Sequence, residues 1–345
     1  MRLPLEPARG FAAAVLEAAG ARPGDAAVMA RALVAAEHAN HAGHGLARLP
    51  GYVGRLRAGG TVSRDWSPVR TGGAVESYDG RDGLGHVHLE LAVDRAAELC
   101  AQRGIGAVGV SSSNHAGALG PRARRLANRG FVAFLTTNAP AVLAPPAGRA
   151  AVVGTNPLAV AAPVPGGAAL VCDLSSSQVN RGAIMRAAQQ GIEIPEGWAL
   201  DAAGEPTRDA AAALAGTLVP LGGAKGFALA LAIEVLTGAL LGPAVGPEVA
   251  DFFGDGLDRP QGIAHLVVAL DPGAFGDRDA FAARMGRLRD AVHASGAPGA
   301  TRLPGARAVA HAERQGDALE LGDDLVRTLD ALAGELGVEP PARGP

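Results

Sequence analysis

Ile105-Gly106-Ala107-Val108-Gly109-Val110, followed by Ser111-Ser112-Ser113-Asn114-His115-Ala116-Gly117, is the stretch on which the fold reading turns. Its first half is an apolar run of strand length, and its second half is small, polar and turn-forming. Residues 118–129 then read as a helix, so the unit is strand, turn, helix. In an open α/β sheet, ligand sites gather beyond the C-terminal ends of strands, which is where His115 falls. A histidine there can exchange a proton near neutral pH. It can equally cap the next helix, and this stretch alone does not separate the two.

Working outward, a helix is expected over 86–103 and a strand over 75–78, after a turn-rich stretch that begins near 61. Downstream, strands are expected over 131–136, 157–163 and 168–173, the last two flanking Pro165-Gly166-Gly167. Helices over 181–190, 225–241, 277–294 and 323–336 and a strand over 264–270 complete the pattern. The first 60 residues read as three helices, over 7–19, from Asp25 as N-cap to His38, and over 46–58. Strands alternating with helices imply an α/β protein with a helical N-terminal unit.

Composition excludes several classes. The chain has 345 residues, 48% hydrophobic and 19% charged, as in an ordinary globular protein that needs no metal or disulfide to fold. A net charge of −3 offers no basic field to a nucleic acid, and 3% aromatic content offers little base stacking. Cys100 and Cys172 do not make a disulfide framework, and no signal-peptide core follows Met1-Arg2-Leu3-Pro4. A cytoplasmic location is therefore expected. The greasy stretch 226–242 carries Glu234 and reads as a buried helix, so no membrane partner is expected.

Further residues could carry chemistry. His38, His41 and His44 are spaced three apart, but each three-residue step drifts by about 60° around a helix, so no metal site is assigned. Arg48 lies one helical turn beyond His44, and its fork suits a carboxylate, although a surface ion pair would use it equally well. Gly154-Thr155-Asn156-Pro157 could offer backbone N–H groups to phosphate. Gly222-Gly223-Ala224-Lys225-Gly226 opens a helix with the only lysine of the chain, an arrangement that suits an anion. Neither a P-loop nor a G-x-G-x-x-G fingerprint occurs, so an ordinary Rossmann domain is not indicated.

Six segments in order resemble one family, the malate/L-lactate dehydrogenases that lack the Rossmann fold, whose relatives include ureidoglycolate and sulfolactate dehydrogenases and cyclic-imine carboxylate reductases. They are His44-Gly45-Leu46-Ala47-Arg48-Leu49-Pro50, Ser113-Asn114-His115-Ala116-Gly117-Ala118 and Gly154-Thr155-Asn156-Pro157-Leu158-Ala159. Then come Ile194-Pro195-Glu196-Gly197-Trp198-Ala199, Gly204-Glu205-Pro206-Thr207 and Pro220-Leu221-Gly222-Gly223-Ala224-Lys225-Gly226. The resemblance spans about residues 5–335.

The resemblance implies a homodimer with three parts per chain. These are a helical domain (1–70 with 300–345), a core α/β domain (71–120 with 215–299) and a nucleotide-binding domain (121–214). It implies an enzyme that uses NAD or NADP to interconvert a small 2-hydroxy acid and its 2-oxo acid. His115 would exchange a proton with the substrate oxygen, and Arg48, Asn138 and Arg259 would hold the carboxylate substrate. His44, Thr155, Asn156, Asp173, Leu174, Ser175, Lys225 and Gly305 would line the cofactor. Arg181 is a candidate for a 2′-phosphate.

The chain departs from the family pattern at Ala42-Gly43, Ala139 and Ala224, where relatives commonly carry a hydroxyl, a carboxylate and an aromatic ring. These departures keep a cyclic-imine reductase and a non-catalytic ligand-binding homologue open as alternatives.

Overall fold

The computed structural model describes residues 1–253, 256–297 and 299–341. Strand β1 (Arg2–Pro4) leads into helices α1 (Leu5–Ala18), α2 (Pro23–His38) and α3 (Leu49–Ala58). Two 3-10 turns, Ala42–His44 and Leu46–Arg48, join α2 to α3. Next come β2 (Ser67–Arg70), β3 (Val75–Asp79), α4 (Gly85–Arg103), β4 (Ile105–Ser113), α5 (Gly120–Asn128) and β5 (Val132–Thr137). They are followed by β6 (Leu158–Ala162), β7 (Leu170–Leu174), α6 (Arg181–Gln190), β8 (Ala199–Leu200) and β9 (Pro206–Thr207). Then α7 (Ala210–Ala215), β10 (Thr217–Leu218), α8 (Ala224–Glu234) and β11 (Ile263–Leu270) lead to α9 (Arg278–Ala294). The chain closes with α10 (Ala306–Gln315), β12 (Ala318–Glu320) and α11 (Asp323–Leu336).

Seven strands form one mixed sheet in the order β2-β3-β4-β11-β5-β6-β7. Only β3 and β4 pair in parallel, joined by the α4 crossover; the other pairs are antiparallel. The fold is therefore α/β, as the alternation predicts. Strands β5, β6 and β7, from the segment expected to bind nucleotide, continue the same sheet as β4 rather than forming one of their own.

Among the described residues, the three larger apolar cores sit around this sheet. Leu16, Leu33, Leu49 and Leu332 centre a helical core shared by both ends of the chain. The last four residues of the 300–345 segment lie outside the described residues. Leu89, Val108, Leu126 and Leu135 centre the core between α4, α5 and the sheet. A smaller core holds Leu143, Ile184, Leu218 and Phe227.

Local differences from the expected elements have simple causes. Helix α2 starts at Pro23, which pre-sets the helical dihedral at the first position, so Asp25 falls inside the first turn and not at the cap. The pair β1–β12 and the sheet β10–β8–β9 involve two or three residues per strand, too few for a period to show. The expected helix over 225–241 changes character: α8 passes into a wide π turn at Val235–Ala239. The buried Glu234 carboxylate sits at the junction, and a Cβ on Gly238 would come within 2.5 Å of it. Among the described residues, no helix is long and apolar enough to cross a membrane.

Candidate active site

The turn after β4 is held from several sides. The His115 amide donates to Gln261 Oε1 at 3.0 Å. Asn114 Oδ1 accepts from the Gln261 amide at 3.3 Å and from Arg55 Nη2 at 3.2 Å. Asn114 Nδ2 donates to the carbonyls of Asp82 and Gly83 at 2.9 and 3.0 Å. Pairing of β11 with β4 shifts between Ile263 and His265, a bulge of the kind found beside active sites. Under it, His265 meets Ser113 Oγ at 3.0 Å and Thr137 Oγ1 at 2.9 Å. Gly117 closes the turn at φ +71°, and a Cβ there would meet His86 Cε1 at 2.5 Å.

His115 is thereby presented half-buried among aromatic and cationic groups. Its Nδ1 lies 2.6 Å from Tyr52 Oη, which lies 2.8 Å from His86 Nε2. His86 Nδ1 faces Arg122 Nη2 at 2.9 Å. His44 stacks on His115 with ring centroids 5.8 Å apart and planes 11° apart, and Phe252 packs at 5.1 Å. Burial, then the charge of Arg48, holds His115 well below the usual histidine range. Burial does the same to His86, and it brings His44 down to about 4. At neutral pH these rings are uncharged, and His115 keeps Nε2 for a ligand.

Arg48 stands beside them. Its Nε donates to the Gly43 carbonyl at 2.6 Å. Its guanidinium lies 5.4 and 5.1 Å from the ring centroids of Phe252 and Phe253. Among the described residues it makes no salt bridge, so its two terminal amino groups are left for an anion.

Six of the residues expected to line a cofactor, Thr155, Asp173, Leu174, Ser175, Lys225 and Gly305, lie on or beside β7, whereas His44 stacks on His115. The Ser176 amide donates to the Thr155 carbonyl at 2.8 Å, and Asp173 Oδ2 accepts from the Gly120 amide at 2.7 Å. Leu221 N to Ser176 O at 2.9 Å and Gln178 N to Val219 O at 2.8 Å bring 222–225 alongside Ser175. On the other side, the Val171 amide donates to Pro304 O at 3.0 Å and Arg124 Nη2 to Gly305 O at 3.1 Å. Asp173-Leu174-Ser175 is thus flanked by Gly305 and by Lys225, which is exposed in the first turn of α8. Exposed backbone at a helix N-terminus with a lysine suits a nucleotide phosphate.

The side chains of the other expected residues have partners of their own. Asn138 is buried, with Nδ2 on Glu234 Oε1 at 3.2 Å and Oδ1 accepting from the Ala264 amide at 2.9 Å. Asn156 is also buried and donates to Glu234 Oε2 at 2.7 Å and to Ala230 O at 3.0 Å. Together with the Gly246 amide at 2.9 Å, the two amides hold the Glu234 carboxylate in the interior. Arg259 is exposed, and its side chain lines a cleft of about 360 Å³ with Glu248 and Asp251. Arg181 pairs with Asp251 at 3.5 Å, and His38 turns to Gly316 O at 2.9 Å.

Tyr52, His86, Arg122, Gln261 and Phe252 were not singled out from the sequence. Only Tyr52 carried a local signal, four residues beyond Arg48 on the same helical stretch.

Comparison with known proteins places the chain in a family. The profile described as malate/L-lactate dehydrogenase matches residues 3–330. A protein of Chromohalobacter salexigens named (2R)-3-sulfolactate dehydrogenase (NADP(+)) is 40% identical over 329 residues, 95% of this chain and 97% of its own. A Pseudomonas aeruginosa Delta(1)-pyrroline-2-carboxylate/Delta(1)-piperideine-2-carboxylate reductase is 34% identical over 339 residues, 96% and 99% of the two chains. The solved sulfolactate dehydrogenase of Methanocaldococcus jannaschii superposes with a TM-score of 0.89 at 30% identity, covering 98% of each chain. The chain belongs to the malate/L-lactate dehydrogenase family, a family of oxidoreductases.

Proposed function

We propose that the chain interconverts a 2-hydroxy acid and its 2-oxo acid with NADP(H), and that the acid carries a second anionic group, as sulfolactate does. Arg48 carries this reading: a half-buried guanidinium beside His115 with no salt bridge among the described residues. Arg48, Arg55 and Arg122 outweigh the nearby Asp251 and Glu90, and Glu90 also pairs with Arg125. A doubly charged acid gains more from such a field than a singly charged one. The most similar of the relatives reported above acts, by its name, on such an acid with NADP(+).

His115 Nδ1 is engaged by Tyr52, so the proton passes between Nε2 and the substrate oxygen. Arg48 fixes the carboxylate and turns C2 toward the cofactor row. The bound nicotinamide supplies or accepts the hydride at C2. An anionic substrate also offsets the cationic field that depresses His115, which favours its charged form in the reductive direction. Thr155, Asp173, Leu174, Ser175, Lys225 and Gly305 would hold the cofactor, with phosphate at the start of α8.

A homodimer fits the surface. Leu231, Val235 and Leu240 are 43%, 61% and 64% exposed, and steps of four and five residues keep them on one face as α8 widens into the π turn. The free thiols Cys100 and Cys172 fit the cytoplasm.

NADPH absorbance with sulfopyruvate, oxaloacetate, pyruvate and a cyclic-imine carboxylate tests the reading. Oxidation fastest with sulfopyruvate supports it. Oxidation with the imine alone assigns the site to imine reduction, and cofactor binding without turnover of any of them assigns it to ligand binding.

A further inference from the structure

We infer that Arg122 is a positioning residue that, through His86 and Tyr52, sets which nitrogen of His115 carries its proton in the free protein. The inference rests on the reading of His115 as the group that exchanges a proton with substrate.

The direction of the chain follows from donor counting. A guanidinium has five N–H donors and no acceptor. Arg122 Nη2 lies 2.9 Å from His86 Nδ1, so that nitrogen must accept, and neutral His86 carries its hydrogen on Nε2. His86 Nε2–H then donates to Tyr52 Oη at 2.8 Å. The phenol hydrogen has His115 Nδ1 as its acceptor at 2.6 Å. His115 Nδ1 therefore accepts, and the one hydrogen of the neutral ring sits on Nε2, facing the ligand side. Tyr52, His86 and Arg122 are all buried, so water does not offer these groups alternative partners. Reversing the chain would set a His86 N–H against an Arg122 N–H, or leave the phenol hydrogen unpaired; each is costly inside a protein.

Arg122 is itself fixed. Its Nη1 donates to Ala118 O at 2.8 Å, and its Nε faces Glu90 Oε1 at 3.0 Å, on the wall of a cleft of about 320 Å³ between α2, α4 and α5. The relay thus runs from the reacting ring to a second opening in the surface, yet a guanidinium has no lone pair through which a proton can hop. The arrangement acts as a lock on the tautomer and not as a proton wire.

The lock has a chemical consequence. A neutral His115 with hydrogen on Nε2 is set to donate a hydrogen bond to a 2-oxo oxygen. It cannot take a proton from a 2-hydroxyl through that nitrogen until its hydrogen moves to Nδ1 and the Tyr52 hydroxyl turns. The charged and titratable groups around the ring are His44 and Arg48 from the 3-10 turns, Tyr52 from α3, His86 from α4, Arg122 from α5 and His265 from β11, with Asp251 acting on Arg48.

The test is ¹⁵N–¹H correlation of histidine-labelled protein without substrate, which distinguishes protonated from bare ring nitrogens. At neutral pH, His115 is expected with bare Nδ1 and protonated Nε2. Arg122→Gln, which can donate or accept, should give a mixed or reversed tautomer, while Arg122→Lys, a donor only, should keep the original. A dominant Nδ1–H form in the parent protein, or an unchanged tautomer in Arg122→Gln, overturns the inference. If Arg122→Gln does not fold, Tyr52→Phe gives the same choice: the pattern at His115 changes if the lock exists and stays if it does not.

With activity in hand, Arg122→Gln should also move the acid limb of the oxidative pH profile upward by about one unit, because the lock then no longer favours the neutral ring. The spectra need no substrate, so a wrong substrate class leaves them untouched. Inactivity toward every 2-oxo acid, with the expected tautomer, refutes the proposed function and not the lock.

Discussion

The pocket at the end of β4 and the row along β7 are built on opposite plans. Around His115, side chains from α3, α4 and α5 interlock, and burial has pushed the histidines far from their ordinary range. Along β7, the groups are mainly backbone and one exposed lysine, held by main-chain pairing and by single side-chain bonds of Asp173 and Arg124. Groups that must exchange a proton or grip a charge gain from a dry, fixed setting. A surface that must take up and release a nucleotide gains from an open one. Perturbing the first region should therefore have large effects on chemistry and stability, and perturbing the second should have small effects on binding.

The largest expected effect is on chemistry. His115→Ala should lower turnover by about 10²- to 10⁴-fold while cofactor affinity, read by fluorescence titration, stays near the parent value. Near-normal turnover would remove His115 from the reaction. Equal losses of cofactor affinity and turnover would break the distinction between the two regions.

Next in size is a pH effect on stability. Burial holds His88 at about 4 and His265 at about 3, and both are fully buried beneath the turn. Their unfolded forms bind protons near 6.5, so stability is complete above that value and falls as pH drops toward the folded values. At about 1.4 kcal/mol per unit for each group, the loss between pH 6.5 and 5 amounts to several kcal/mol. The paired Glu76, held near 2 by Arg95, adds nothing until pH falls below about 4.5. Urea unfolding at pH 7 and pH 5 measures this, and a flat stability curve would show that the histidines are less confined than their burial implies.

Two glycines with left-handed backbone separate the regions directly. Gly117→Ala combines φ +71° with a Cβ 2.5 Å from the His86 ring, whereas Gly222→Ala, at φ +62°, meets open space. The first should cost about 3 kcal/mol and the second about 1, read as shifts in thermal midpoint. Equal costs would mean that the relay side chains give way freely.

Arg48→Ala should come next, weakening acid binding roughly 30-fold, or about 2 kcal/mol, with cofactor affinity unchanged. A rise in KM confined to the cofactor would place Arg48 on the nucleotide instead of the acid.

How far the sequence reveals each region depends on how local its parts are. The strand, turn and helix around His115 are contiguous, so periodicity and turn chemistry expose them, and His44 and Arg48 share one short segment. The Gly-rich start of α8 with Lys225 is equally local. Tyr52, His86 and Arg122 come from three helices and meet only after the helices pack on the sheet; no spacing along the chain records that meeting. Asn138 and Asn156 show the opposite case, in which the sequence shows the residue but not its partner. They are polar residues in loops after strands, as binding residues are, but the interior holds a carboxylate, Glu234, that needs their donors. The π turn is hidden similarly, because the apolar spacing of 225–241 fits an unbroken helix.

The smallest expected effect belongs to the open region. Lys225 is exposed in the first turn of α8, where its charge adds to the dipole and the unpaired N–H groups of the helix start. An exposed cation contributes about 1 kcal/mol at most, so Lys225→Gln should weaken cofactor binding about fivefold at low salt and by less at 0.5 M, with turnover at saturation unchanged. A hundredfold loss would mean that the lysine is enclosed when the cofactor binds, so that the β7 row closes over its ligand and resembles the His115 pocket in its working state. No loss at either salt concentration would move the phosphate from the α8 terminus toward Gly305 and the start of α10, the other flank of the same row.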